Sequence, residues 1–506
     1  MLVKNINKTF LLLVLVMSVA GCKKEFLNRN PLDTYASENF WRNEDDVKIG
    51  IAGVYATLNR GEGFGPFLVW WDGLSDDGFV WSAPWQNTGQ GQVESTSTGP
   101  IQDVYYNNYR SIGVCNYFLA NVGKANLSEA LTNAYSAEVR FLRAYYYLQL
   151  SEIYGPVMIT EKPAVLEDLQ TKLPRSSKAD VVKFMLQDLD FAIANLPNTA
   201  YTGRAVKGTA QGLKARVLLY NERWAEAAAA ANEVIASKKF ALFNDYRGLF
   251  IKPQQRAAGN TEVMFSIRFQ APNLTHQYDY RIGWPAFATV QALGLLVESY
   301  EAIDGRPITS SPLYNPAKPY ENRDPRLRYN VYTPGHKPWL AGSTPDSAFT
   351  PQVEVRTGFM IRKGIDESRS PYGYNTISDQ DIILLRYADV LLMYAEAQNE
   401  AAGPDQSVYN AVNEVRARPG VNMPALPAGL TKDQMRVRIR QERRSELAYE
   451  GLRYFDLKRW KIAKDVLSNI TNPGGAKRKF DDKHYLWPIP QGEINILGKE
   501  YQNPGY

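Results

Sequence analysis

Two cysteines and three histidines are all that this chain of 506 residues carries. Cys22 and Cys115 lie in distant segments, so once Cys22 is otherwise engaged Cys115 has no internal disulfide partner. His276, His336 and His484 are scattered, with no HExxH or CxxC spacing, which removes the usual basis for a dedicated zinc site. No GxSxG motif offers a nucleophile elbow. Nothing in the sequence implies a cofactor or a bound metal. Long apolar runs are also missing. The stretch Phe10 to Ala20 is eleven residues, short of the roughly 20 that cross a bilayer as a helix. Basic residues (58) barely exceed acidic ones (53) and alternate with them, which argues against nucleic acid as a partner.

What the chain does have begins at its N-terminus. Lys4 and Lys8 precede the short apolar run, and small residues follow it in the order Val19, Ala20, Gly21, Cys22. A basic start, an apolar core and small residues make an export signal. The direct junction with cysteine looks like a bacterial lipobox, in which residues 1–21 are removed and Cys22 is acylated. Each buried CH₂ of such an anchor contributes about 0.8 kcal/mol, and several chains act together. The alternative is an ordinary secretory signal with a coincidental thiol, although ordinary cleavage favours an A-x-A ending.

Apolar residues recur at three- and four-residue steps through most of the chain. Val47, Ile51, Val54 and Leu58 form one stripe, with Ser37 as a possible N-cap upstream. Ile112, Cys115, Leu119 and Val122 form a second, which predicts a buried Cys115. Longer stripes run from Leu131 to Ile153 and from Val182 to Leu196, the latter stopped by Pro197. "KGTAQGLKARVLLYNERWAEAAAAANEVIASKKF" (207–240) predicts two helices of similar length about a tight polar turn, with Gly208, Ala215, Ala227 and Ala231 where close packing needs small residues. That is the layout of a tetratricopeptide hairpin. A second hairpin is predicted around "AAGPD" (401–405). The expected fold is therefore mainly α: tetratricopeptide-like hairpins stacked into an α-solenoid scaffold. Between the helical blocks, segments at about 60–100, 250–300 and 305–380 are rich in Gly, Pro, Asn and aromatics, a length of loop that tends to carry function. "EVMFSIRF" (262–269) alternates as a short strand would.

Several motifs occur together and in order: "FLRAYYYLQLSEIYGPV", "SYEAIDGRPI", "NRDPRLR", "LLRYADVLLMYAEAQNE", "RRSELAYEGLRYFDLKRW" and the terminal "YLWPIPQGEINILGKEYQNPGY". From Cys22 to Tyr506 the chain resembles the SusD/RagB family of outer-membrane nutrient-binding lipoproteins. The resemblance implies one domain over 22–506, with a loop-rich lobe containing short strands packed on one side of the helical scaffold and insertions at about 60–100 and 250–380. It further implies a non-catalytic protein, lipid-anchored in the outer membrane and facing outward. Such a protein acts as the lid of a SusC-like TonB-dependent barrel transporter and captures glycans, or in some members peptides.

Within that frame the ten tryptophans and 31 tyrosines need places. Four tryptophans fall in the sixteen residues 70–85 of "FGPFLVWWDGLSDDGFVWSAPWQNTGQGQ". An indole offers a flat apolar face to the C–H face of a sugar ring, and amides match its paired hydroxyls. Trp81, Trp85, Gln86 and Asn87 supply such a set. Trp70 and Trp71, beside the apolar "FLV", are expected to pin the loop to the helical body instead. The family's long insertions line its ligand site, which adds Tyr280, Arg281 and Trp284, and Trp339 beside Tyr332 and His336. The charges of "RIRQERRSELAYEGLRYFDLKRW" read as a helix laced by i,i+4 pairs and packed by its apolar side. Asp76 and Asp77 read as a turn or helix cap, since adjacent carboxyls do not by themselves flank a glycosidic bond. Four readings compete: a glycan-binding lid, the same lid for peptides or another nutrient, a lipid-anchored polysaccharide hydrolase, and a pure tetratricopeptide scaffold.

Overall fold

The computed structural model describes residues 40–61, 64–164, 172–337 and 347–506. Cys22, Ser37 and Trp339 lie outside the described residues. The long helices, in chain order, are α1 (Glu44–Ala56), α2 (Pro100–Asn121), α3 (Glu129–Tyr154), α4 (Lys178–Asn195), α5 (Lys207–Tyr220), α6 (Trp224–Ser237), α7 (Tyr387–Ala402), α8 (Gln406–Arg416) and α9 (Lys432–Leu447). Each helix from α2 to α6 packs on the next. Then α6 packs on α7, and α7 on both α8 and α9. This is the predicted tetratricopeptide-like array, although residues 238–386 separate α6 from the helix beside it.

Local chemistry explains the hairpins. After α5 the chain reverses at Glu222 in a left-handed conformation (φ 58°), and Ala215, Ala227 and Ala231 are fully buried where the helices meet. A Cβ on Gly208 would stand 2.2 Å from the Phe240 ring, so only glycine lets the chain after α6 close over α5. Helix α8 restarts after Gly403-Pro404 because the Asp405 carboxylate accepts from the amides of Ser407 and Val408. The α1 stripe is buried as predicted, and its cap is Asn43, whose side chain accepts from the amides of Asp45 and Asp46. Cys115 is buried in α2, and burial pushes its thiol up to about 12.

The three irregular segments are stitched together by a four-stranded antiparallel sheet of order β1-β3-β5-β4. Its strands are β1 (Gly78–Val80), β3 (Val290–Ala292), β4 (Val331–Tyr332) and β5 (Met360–Ile361). Val80 faces Val290, and Gln291 links Phe79 on one side to Met360 on the other. A second ladder pairs β2 (Val263–Ile267) with β6 (Ile382–Arg386), which runs directly into α7. The predicted strand at 262–269 is therefore present, but all five of its residues are buried rather than alternating, since it lies between the loop lobe and the scaffold.

The charge-rich motif departs from expectation. Asp456 and Arg459 do form a short-range pair (2.8 Å), but Glu442 and Glu446 of α9 are buried and reach arginines on other elements. Glu446 accepts from Arg386 (2.7 Å), Arg418 (2.8 Å) and Arg326 (2.9 Å). Glu442 accepts from Arg326 (2.5 Å) and Arg416 (2.6 Å), and Glu450 from Lys363 (2.6 Å) and Arg386 (2.7 Å). Glu262 accepts from Arg386 and Arg418. Arg326 and Lys363 belong to the loop lobe, whereas Arg386, Arg416 and Arg418 flank the helices of the second hairpin, so the network bolts lobe to scaffold. Asp76 and Asp77 do occupy a turn, yet they are buried and bound by Arg453 (2.8 Å) and Arg444 (2.7 Å). That docks the 60–100 segment onto α9 and the short helix Arg453–Arg459 that follows it.

Burial opposes ionisation of Glu446, but Arg418, Arg386 and Arg326 outweigh it and hold the carboxyl well below its ordinary value of 4.5. Arg443 and Arg216 do the same for Asp389. A carboxyl depressed in the fold contributes stability above its unfolded value and loses it as pH falls towards the folded one. Melting temperature should therefore be steady above about pH 5 and fall progressively on acidification below it. Glu446→Gln, which removes a carboxylate shared by three buried guanidiniums, should cost about 3–5 kcal/mol in chemical denaturation. A cost under about 1 kcal/mol would show that the network does not carry the fold.

Candidate functional site

The β1–β3 register decides where the first aromatic goes. Trp81 follows β1, its amide donates to the carbonyl of Thr289 (3.2 Å), and its indole Nε1 donates to the carbonyls of Phe287 (2.9 Å) and Ala288 (3.1 Å). The Trp81 and Phe287 rings meet edge to face at 5.7 Å.

The remaining rings are placed by a single π-helical turn, Asp279–Gly283, a form of backbone that often marks functional sites. Asp279 is fully buried and anchors the turn. Its carboxylate accepts from the Asp366 amide (2.8 Å), Ser378 Oγ (2.8 Å) and Gln380 Nε2 (3.1 Å). Burial pushes this carboxyl up to about 6 against those hydrogen bonds and nearby Arg369. From this base Tyr280 packs against Phe287 (4.6 Å), Tyr374 (5.4 Å) and Trp284 (6.0 Å), and Trp284 meets Tyr374 edge to face at 5.3 Å. Tyr374 is 70% exposed, and Trp81, Trp284 and Phe287 are half-buried. The Arg281 guanidinium lies over Phe67 (5.4 Å), Tyr280 (5.8 Å) and Phe287 (5.9 Å), and that of Arg356 over Trp81 (5.9 Å). The result is a continuous, partly open aromatic platform flanked by two cations. It can stack on the apolar face of a ring-shaped ligand and hydrogen-bond or charge-pair at its margins.

Of the residues singled out from the sequence, Trp81, Tyr280, Arg281 and Trp284 converge here. Tyr280 is itself covered by its neighbours (5% exposed), so it supports the platform rather than presenting a face. Trp85 must be corrected. It is 0% exposed and packs edge to face against Trp70 (5.6 Å) and Trp71 (5.2 Å). The short helix Ala83–Gly89 turns Trp85 inward, while Gln86 stays half-buried and Asn87 exposed. The compact set 81, 85, 86 and 87 thus spans a strand end and a helix and does not act as one surface. Trp70 and Trp71 are buried as expected, with Trp71 stacked on Trp487 at 5.3 Å. Phe287, Tyr374 and Arg356 were not singled out. "SPYGYNT" (370–376) carried the same Gly, Pro and aromatic signal as the segments that were.

Residues 250–506 match the family model described as the SusD family, and the chain belongs to that family. Residues 50–219 match a model described as starch-binding, associating with the outer membrane. The SusD-like protein P38 of Formosa agariphila is 26% identical over 507 residues, 96% of each chain. The SusD-like protein P2 of the same organism is 26% identical over 99% of this chain and 100% of its own. A SusD-like carbohydrate binding protein from Bacteroides fragilis has a similar solved structure, with a TM-score of 0.81 at 26% identity over 90% of this chain and 99% of that one.

Two classes of aromatic residue follow, and stability separates them. Trp85→Ala should cost about 3–5 kcal/mol in thermal or chemical denaturation, whereas Tyr374→Ala should stay within about 0.5 kcal/mol of the parent. Equal losses would contradict the division into core and platform.

Proposed function

We propose that this protein is a cell-surface glycan-binding lipoprotein, and that Trp81, Trp284, Phe287 and Tyr374 form its stacking platform, with Arg281 at the edge. The carrying observation is the meeting of half-exposed rings from three separate loop segments at one place. A helical scaffold alone has no use for such a patch. Relatives described as SusD-like and carbohydrate binding support the reading. So does the model described as starch-binding and associating with the outer membrane. In this reading residues 1–21 are a leader, and Cys22 carries the acyl anchor. Residues 22–506 act as one unit over a SusC-like TonB-dependent barrel, passing ligand inward without breaking bonds.

A second reading keeps the lid and exchanges the ligand for a peptide. Arg281 donates to Gln277 (3.2 Å) and Arg356 lies over Trp81. Neither has a carboxylate partner among the described residues, so both are available to an acidic group.

Calorimetry of the whole chain against a panel of neutral and acidic oligosaccharides and short peptides separates these readings. Trp284→Ala and Tyr374→Ala should each weaken glycan binding more than tenfold, the loss expected of a central stacking residue worth about 2 kcal/mol. Binding of a glycan that ignores both changes would move the site elsewhere. Binding of peptides alone would select the second reading, and release of shortened products from a polymer would revive hydrolysis.

A further inference from the structure

A cavity of about 770 Å³, lined by none of the platform residues, opens between the ends of α3 and α5, the start of α4 and the C-terminal segment. That volume falls within the range of small-molecule sites, about 300–1,000 Å³. Its walls carry five cations (Lys178, Lys458, Arg459, Lys461 and Lys483) against Glu152, Glu222 and Asp482. Three of the cations are already satisfied. Arg459 is held by Glu396 and Asp456, Lys178 by Glu152 (3.0 Å), and Lys483 by Glu94 (3.2 Å).

Lys458 and Lys461 are not. Lys458 is only 6% exposed, and its ammonium donates to the backbone carbonyl of Glu152 (3.0 Å) with no carboxylate partner among the described residues. Lys461, exposed at the rim, has its ammonium 5.1 Å above the Tyr485 ring and likewise no carboxylate. A buried ammonium without a counterion is costly. Burial pulls Lys458 down to about 7, with Lys178 and Lys461 adding to the effect and Glu152 opposing it. An anion entering the cavity would relieve this imbalance. Tyr485, half-buried on the same walls, offers apolar surface for the rest of a ligand.

We infer that this cavity is a second binding site, taking a small anionic ligand whose carboxylate or phosphate seats between Lys458 and Lys461 while its body lies against Tyr485. It shares no residue with the aromatic platform and stands whether or not the platform binds glycans. The carboxylate and phosphate forms of the ligand are distinguished by the probes.

The test is calorimetry of the whole chain with glucuronate, glucose and inorganic phosphate. Saturable binding of glucuronate or phosphate, with none of glucose, is expected. Preference between the two anions identifies the natural group. Lys461→Gln, at an exposed position, should weaken the favoured anion at least tenfold, Lys461→Arg should retain most of the affinity, and Trp284→Ala should leave it unchanged. Lys458→Met should abolish binding while keeping the parent melting temperature or raising it, because it removes an uncompensated buried charge. If neither anion binds, if glucose binds as well as glucuronate, or if Lys461→Gln has no effect, the inference fails.

Discussion

Glu446 receives three arginines inside the protein, one from the loop lobe and two from the ends of the second helical hairpin. Removing these charges from water costs several kcal/mol each, and the cost is offset only when every partner is in place. The carboxylates of Glu442, Glu446, Glu450 and Glu262 and the cations that meet them therefore permit very few relative positions of lobe and scaffold. A shifted lobe would leave a charge uncompensated in a medium that punishes it. Apolar packing alone, being non-directional, would not impose such a constraint.

The platform inherits its precision from this seat. Arg444 and Arg453 fix Asp77 and Asp76, which start the turn into β1. The register of β1 with β3 then delivers Trp81 to the carbonyls of Phe287 and Ala288. Asp279, locked beneath by an amide, a hydroxyl and a side-chain amide, holds the π-helical turn from which Tyr280 and Trp284 project. The rings that meet solvent stand on rings that do not, so loops that are long in sequence behave as a preorganised surface. Preorganisation reduces the ordering cost of binding.

Helical stripes were readable because burial on one face of a helix imprints a 3.6-residue period that needs no knowledge of the partner. The hairpins at 207–240 and about 387–416 were readable for the same reason, with their small residues and turn signals in place. The sheet that joins the loops was not, since its strands are two or three residues long, too short to show a period of two. The charged motif of α9 was read as i,i+4 pairs along one helix, whereas Glu442 and Glu446 pair with arginines of other segments. Glu442 and Glu446 do lie four residues apart, but charges spaced this way look alike whether they face water or arginines on other segments. Trp81 and Trp85 had nearly the same surroundings in sequence. A strand end and a helix start turned one toward the platform and the other into the core. Phe287 and Tyr374 belong to segments of the same composition and escaped notice because nothing local joins them.

Composition and order were thus enough to establish a helical-hairpin frame and aromatic-rich insertions, both of which are local properties or strings of local properties. Which rings face solvent, which charges are buried and which segments share a surface depended on pairings between residues far apart in the chain, such as 26 positions for Glu442 with Arg416 and 206 for Trp81 with Phe287. Such pairings have no signature along the chain, because β register and ion-pair geometry are set only when distant segments meet.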